Sequence, residues 1–416
     1  MKKLIIPEIH LKNGLCEGKN AVELAKYFSE AGADGIILHD LSTEDEEHEI
    51  NLHTMKEIYR AVEISLYGSG NIKRAEDVKK ILYTGCQMAI LDFSKESNRE
   101  MLEEVSKRFG QEKIAVSVNS KEQLLEHVHT LEKYASLVTT VKDLPETCYK
   151  KYSLPLIVST EKDGHEIFHI LENPAVKGIT GGYVSKKDTD FMSLKNRGNQ
   201  MGIETNVLRS EISWDELKLN SDGMMPVVVQ DYRTNEVLMV AYMNEESFKK
   251  TLETGLMTYY SRSRNCLWTK GLTSGHVQYV KSLTTDCDYD TILAKVSQVG
   301  VACHTGKPSC FFNTMMKKDY KQTNPLKVFE SVYDTILDRK QNPKEGSYTN
   351  YLFDKGIDKI LKKVGEEATE LVIAAKNPEP EEIKYEMADF LYHAMVLMVE
   401  KGITWEEIIE ELDNRH

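Results

Sequence analysis

Residues 4–9, LIIPEI, lead into a helix-patterned stretch from Ala21 to Ala31 and then into DGIILHDL at 34–41. Two short apolar runs separated by one amphipathic helix make a βαβ unit, the building block of a parallel sheet. The alternation continues through ISLYGSG (64–70), MAILDF (88–93), KIAVSVN (113–119), SLVTTV (136–141), LPLIVST (154–160) and VKGITGG (176–182). Eight strand candidates within about 180 residues favour a (β/α)8 barrel over an open sheet. The pattern therefore predicts a barrel over residues 1–205.

Beyond it the pattern changes. MMPVVVQDY (224–232), EVLMVAYM (236–243), LMTYYSRS (256–263), HVQYVKSLTTDCDYD (276–290) and TILAKVSQV (291–299) are strand-like, and NEESFKKTLETG (244–255) is the clearest helix among them. Residues 207–322 are expected to form a mixed α+β domain rich in antiparallel pairing. The polar run NTMMKKDYKQTNP (313–325) reads as a linker. Residues 326–416 carry apolar positions at i, i+3 and i+4, which predicts an all-α domain. A bundle this small often needs a second copy to cover its apolar faces.

The 416 residues, 41% hydrophobic and 29% charged, have the balance of a globular chain of two or three domains. A net charge of −13 argues against a general nucleic-acid binder, which needs a basic surface for phosphates. No apolar run reaches the ~18 residues of a membrane-spanning helix. The N-terminal apolar stretch is broken by Pro7, Glu8 and His10, and reads as a buried strand rather than a signal peptide. Seven cysteines, an odd number, point to metal or catalytic use in a reducing compartment, so a cytoplasmic location is expected.

The sharpest chemical signal is DCDYD at 286–290 followed by GVACHTGKPSCF at 300–311. If DCDYD is extended, Asp286, Asp288 and Asp290 share one face and Cys287 points to the other. Carboxylates suit Mg²⁺ and thiolates suit Zn²⁺, so one strand would serve two metals. Cys287, Cys303 and Cys310 without an obvious fourth ligand fit a zinc with an open position for water. A structural zinc completed by His304, ordinary core cysteines, and a solvated aspartate turn are the alternatives.

LMVAYMNEESFKKTLETG (238–255), TYYSRSRNCLWTKGLTSGHVQ (258–278), DCDYD and ACHTGKPSC (302–310) resemble the successive motifs of phosphoribosyl-AMP cyclohydrolase. The resemblance implies Zn²⁺ on Cys287, Cys303 and Cys310, with ligands drawn from two subunits of a homodimer. It also implies Mg²⁺ on Asp286, Asp288 and Asp290. Its chemistry is attack of a zinc-activated water on adenine C6 of phosphoribosyl-AMP, breaking the N1–C6 bond. His304, beside a zinc ligand, is the first candidate for proton transfer and His276 the second, with a structural hydrogen bond as the competing role for each. Arg262, Arg264 and Lys270 are candidate phosphate contacts, and Trp268 either stacks on a base or packs.

In the third segment, Glu367 and Glu370 are three residues apart, as are Glu386 and Asp389. On helices each pair shares a face, and two such pairs make a cage for Mg²⁺ and a polyphosphate. A solvated acidic stripe is the alternative. The run from SYTNYLFDKG (347–356) through GEEATE (365–370) to EMADFLYH (386–393) resembles phosphoribosyl-ATP pyrophosphohydrolase. That resemblance implies Mg²⁺-assisted hydrolysis of phosphoribosyl-ATP to phosphoribosyl-AMP and pyrophosphate. It places Mg²⁺ on Glu367, Glu370, Glu386 and Asp389, with Glu366 as the water-activating base and Lys359, Lys362 and Lys363 near phosphates.

LIIPEIHLKNG (4–14) and GADGIILHDL (32–41) resemble the first two strands of the histidine-pathway isomerase and cyclase barrels. Those relatives use acids at the ends of strands one and five, where this chain has His10 and Asn119. GSG (68–70) and GG (181–182) partly keep the phosphate-binding glycines, whereas STEKD (159–163) lacks the expected pair. The barrel is therefore expected to be degenerate, serving structure, assembly or ligand sensing, with a new use of His10, His39 or Asp40 left open. A noncatalytic nucleotide-binding scaffold is the rival reading of the whole chain. No nucleic-acid or membrane partner is expected.

Overall fold

The computed structural model describes residues 2–142, 144–145, 153–318, 325–377, 380–413 and 415. The expected end of the middle segment at 322, and 319–324 of the linker, lie outside them. The chain forms two compact units, Met1–Thr314 and Met315–His416.

The first unit begins with parallel strands Glu8–Leu11, Gly35–Asp40, Ser65–Ser69, Met88–Asp92, Ile114–Val118, Leu137–Thr140, Leu156–Ser159 and Val176–Thr180. Leu4–Ile5 pairs with the last of these, while Glu8–Leu11 pairs with Gly35–Asp40. Both ends of the sheet are thus pieces of one segment, and the sheet curls back on itself. Pro7 sits at the handover, where it lacks an N–H but its carbonyl accepts from Ile37 N at 3.0 Å. Ile6, Ile37, Tyr67, Ile90, Ala115, Leu137 and Ile157 fill the interior. The larger cluster, which includes Ile9, Leu11, Phe28, Leu102 and Phe168, packs strands against helices. The barrel predicted by the βαβ rhythm is present.

In the same unit, Val237–Met243, Met225–Asp231, Ile292–Gln298 and Gln278–Thr285 form a four-stranded sheet in that order. All its neighbours are antiparallel except Met225–Asp231 with Ile292–Gln298. Thr258–Ser261 and Cys266–Thr269 form a separate hairpin. Met225, Val227 and Val229 are buried, alternating with half-exposed Pro226 and Val228, as a sheet with one core face requires. Helix Glu245–Thr254 starts at Asn244, whose side chain accepts from Ser247 N, and stops at Gly255 in the left-handed region. Lys281 joins this layer to the barrel through Glu63 at 2.9 Å and Glu30 at 3.3 Å, and Asn196 donates to the Glu253 carbonyl at 2.9 Å.

The second unit is helical: Pro325–Gln341, Tyr348–Lys355, Ile357–Ala374, Pro380–Lys401 and Trp405–Asp413. Tyr333, Ile336, Leu352, Ile360, Met395, Val396 and Val399 form its core. Val372, Ile373 and Leu412 stay exposed. Among the described residues, no helix is long and apolar enough to cross a membrane.

Candidate functional site

The 300–310 segment is pinned to the central sheet. Cys310 N donates to the Leu238 carbonyl at 2.7 Å and Ser309 Oγ to that of Val237 at 2.8 Å. A tight turn follows Cys303, whose carbonyl accepts from Gly306 N, and it returns Cys310 to Cys303. The two thiols lie close enough for each to shift the other's acidity. The Thr305 hydroxyl, 3.1 Å from Cys303 Sγ, and the Thr305 backbone lower the Cys303 thiol, while burial and Cys303 raise that of Cys310. Lys270, buried, lies close enough for both sulfurs to favour its charge, against the larger effect of burial, which lowers it. Two sulfurs of unlike acidity beside a cation make a soft donor pair.

Cys287 does not join them. Within 4.8 Å, none of the His, Cys, Asp and Glu groupings among the described residues unites the three cysteines. Contrary to expectation, DCDYD is not extended: the strand ends at Thr285, and 286–290 form a turn with Tyr289 at φ 65°. The cause is local. Asp286 Oδ1 accepts from Asp290 N at 3.0 Å and Thr291 N at 3.2 Å, so the aspartate closes the turn. These N–H groups outweigh desolvation and lower the Asp286 carboxyl. Asp286, Asp288 and Asp290 nevertheless converge, with ligand oxygens within 4.8 Å of one another, by folding of the turn rather than by strand alternation.

Arg262, Arg264 and Trp268 line a cavity of about 570 Å³ with Tyr242, Tyr259 and Tyr260. The Arg262 guanidinium stacks over Tyr242 at 3.9 Å. Trp268 also packs against buried Tyr259 at 5.6 Å, so it both packs and lines. Lys270 stands apart, beside the thiols. His276 lies against Gly300, where an added Cβ would come within 2.7 Å of its ring, and His304 is exposed next to Cys303. The tyrosines of this cavity were not singled out in the sequence, where nothing separates them from core aromatics.

In the helical unit Glu367, Glu370 and Glu386 bring their oxygens within 4.8 Å of one another. Burial and then the charges of Glu370, Glu367 and Asp389 raise the Glu386 carboxyl. Asp389 is exposed and outside that trio. Lys363 contacts Glu366 and Glu367 at 3.1 Å each, and Lys362 reaches Glu366 at 3.4 Å. These lysines are therefore paired with the acids themselves. His393, absent from the sequence reading, is buried 3.7 Å from Glu367.

At the barrel mouth, Glu161 Oε1 accepts from Gly182 N at 3.0 Å, so a carboxylate occupies an N–H of the surviving GG pair. His10 stacks on His39 at 4.7 Å, and Asn119 N donates to Gln123 Oε1.

Family models match three stretches: a histidine biosynthesis protein model at 10–166, phosphoribosyl-AMP cyclohydrolase at 239–312 and phosphoribosyl-ATP pyrophosphohydrolase at 329–416. The histidine biosynthesis bifunctional protein HisIE of Thermoanaerobacter pseudethanolicus is 54% identical over 209 residues, 47% of this chain and 97% of that protein. The chain belongs to the HisIE family. HisIE of Bacillus subtilis is 48% identical over 202 residues, 49% of this chain and 96% of that protein. Membership makes the chain an enzyme of histidine biosynthesis with phosphoribosyl-AMP cyclohydrolase and phosphoribosyl-ATP pyrophosphohydrolase activities, of a metal-dependent class. The relatives cover about half the chain, and the barrel is the additional part that the histidine biosynthesis model matches.

Proposed function

We propose that three domains, 1–205, 207–322 and 326–416, divide the work so that the last two act in succession on one substrate. The helical domain cleaves phosphoribosyl-ATP to phosphoribosyl-AMP and pyrophosphate, and the α+β domain opens the adenine ring of that product. Linking the two raises the local concentration of the second site. The observation that carries this reading is the coexistence of a thiol pair and an oxygen cage in separate compact units.

The donor sets fit their metals. Two neighbouring thiols suit Zn²⁺, and converging carboxylates, whose charges raise the Glu386 carboxyl, suit Mg²⁺. When bound, zinc supplies a water of lowered pKa, and Mg²⁺ supplies charge neutralisation for the phosphates. Cys303 and Cys310 hold the zinc from one subunit and Cys287 from the other, which accounts for its separation within a chain and makes the protein a homodimer. The exposed Val372, Ile373 and Leu412 support pairing of the helical domain as well. Asp286, Asp288 and Asp290 hold one Mg²⁺; Glu367, Glu370, Glu386 and Asp389 hold another.

In the ring opening, the ribosyl group on N1 leaves C6 electrophilic. His304 or His276 moves the proton as water adds at C6 and the N1–C6 bond breaks. Arg262 and Arg264 bind phosphate at the cavity rim, Trp268 stacks, and Lys270 favours negative charge on the sulfurs. In the cleavage, Glu366 orients the attacking water, its carboxyl lowered by Lys363 and then by Lys362. The barrel, lacking the acid pair and with Glu161 against Gly182 N, does neither isomerase nor cyclase chemistry. The location is cytoplasmic.

Paired variants test the division. Glu367→Gln should stop pyrophosphate release yet open supplied phosphoribosyl-AMP, and Cys303→Ser should do the reverse. Loss of both activities in either folded variant would overturn it.

A further inference from the structure

The barrel mouth holds a polar group that neither hydrolysis uses. Glu8 and His10 come from the first strand and His39 from the second, in a register that pairs His10 with His39. Their ligand atoms lie within 4.8 Å of one another. Glu8 Oε2 is 3.5 Å from His10 Nε2 and 3.6 Å from His39 Nε2. Both separations are too long for good hydrogen bonds. They match the edge of a tetrahedron around a metal: bonds of about 2.1 Å place neighbouring donors ~3.4 Å apart.

The outer contacts fit the same arrangement. Ser69 Oγ meets His39 Nδ1 at 2.6 Å, which fixes the ring and leaves Nε2 facing the carboxylate. That Nε2 is buried and has no hydrogen-bond partner. Thr180 Oγ1 donates to Glu8 Oε1 at 2.9 Å, leaving Oε2 for the group's centre. In metal sites the far ring nitrogen of a ligating histidine is held by a hydrogen bond and ligating carboxylates are hydrogen-bonded in turn; Ser69 and Thr180 supply those bonds here. Glu8 and His10 also line a cleft of about 1330 Å³, so one side of the group is open.

We propose that Glu8, His10 and His39 bind a divalent transition ion of the zinc class, with an open coordination position facing this cleft. Two imidazoles and one carboxylate favour such an ion over Mg²⁺. The site is separate from the thiols and from both carboxylate cages.

Chelator-stripped full-length protein is titrated with Co²⁺ in excess Mg²⁺, which keeps the carboxylate cages filled, following bound Co²⁺ equivalents and the visible spectrum. The expected result is one equivalent per chain that shows d–d bands without thiolate charge transfer. That equivalent is lost in the His10→Ala/His39→Ala double variant, while the thiolate band stays. Glu8→Gln, which keeps the side chain's shape, should show the same loss with unchanged circular dichroism. Ser69→Ala should weaken the site about 10- to 100-fold. Equal equivalents and spectra in the wild type and in folded Glu8→Gln would overturn the proposal and leave a simple His–Glu–His ion cluster.

Discussion

Gly271→Ala offers a steric test of the ring-opening site. Gly271 has φ 85°, and a Cβ there would lie 2.3 Å from the His276 carbonyl carbon and from Val277 N. These are backbone atoms, so no side-chain rotation relieves the clash, and the 271–277 loop must move by about 1 Å to restore contact distance. A displacement of that size in a positioning element costs on the order of 100-fold in rate. The loop carries His276 and directly follows Lys270, so the loss should fall on ring opening. Gly275→Ala is the matched control: it has φ 77° in the same loop, but its added Cβ meets nothing within 4 Å. It carries only the left-handed strain of about 1–2 kcal/mol. Ring opening of supplied phosphoribosyl-AMP is followed by absorbance, with pyrophosphate release from phosphoribosyl-ATP as the internal reference. The first variant should lose ring opening about 100-fold and keep pyrophosphate release, while the second stays near wild type. Equal ring-opening rates in the two variants would mean that the Gly271 contact does not position the ring-opening site.

Tyr259→Phe removes the hydroxyl that donates to Gln278 Oε1 at 2.7 Å in a fully buried setting. Urea unfolding followed by tryptophan fluorescence should show a loss of about 1–3 kcal/mol. Glu63 is lowered from its ordinary 4.5: desolvation raises it, but hydrogen bonds from Lys281 and Tyr232 win. Its stabilising contribution is therefore present above about pH 4.5 and lost as pH falls through its lower folded value. Wild type and Glu63→Gln should differ in melting temperature at pH 7 and converge in acid; being half exposed, the group contributes under about 1 kcal/mol. Mixing inactive Cys287→Ser and Cys303→Ser proteins should restore about a quarter of ring opening, because half the exchanged dimers carry one intact shared site. No recovery after verified subunit exchange would refute a zinc shared between subunits.

The barrel was legible because its strands are buried on both faces and separated by helices, which writes a strong rhythm into the sequence. Ile6, Ile37 and Ile157 all belong to runs that no solvated strand would carry. DCDYD misled because alternation was assumed to continue, whereas an aspartate side chain can close a turn by accepting from the backbone ahead of it. The ExxE and ExxD pairs were visible from helical spacing, but pairing of Lys363 with the acids depends on rotamers that spacing does not encode. His10 and His39 were noticeable singly. Their stacking depends on strand register, a relation between residues 29 positions apart that periodicity cannot supply.

The most direct measurement is a mass-resolved time course of the metal-replete full-length protein with phosphoribosyl-ATP. The expected result is pyrophosphate release, transient phosphoribosyl-AMP, and then the ring-opened product as the endpoint. Phosphoribosyl-AMP that accumulates unopened, or an absence of turnover, would contradict the two-step assignment, and further isomerisation would contradict the reading of the barrel.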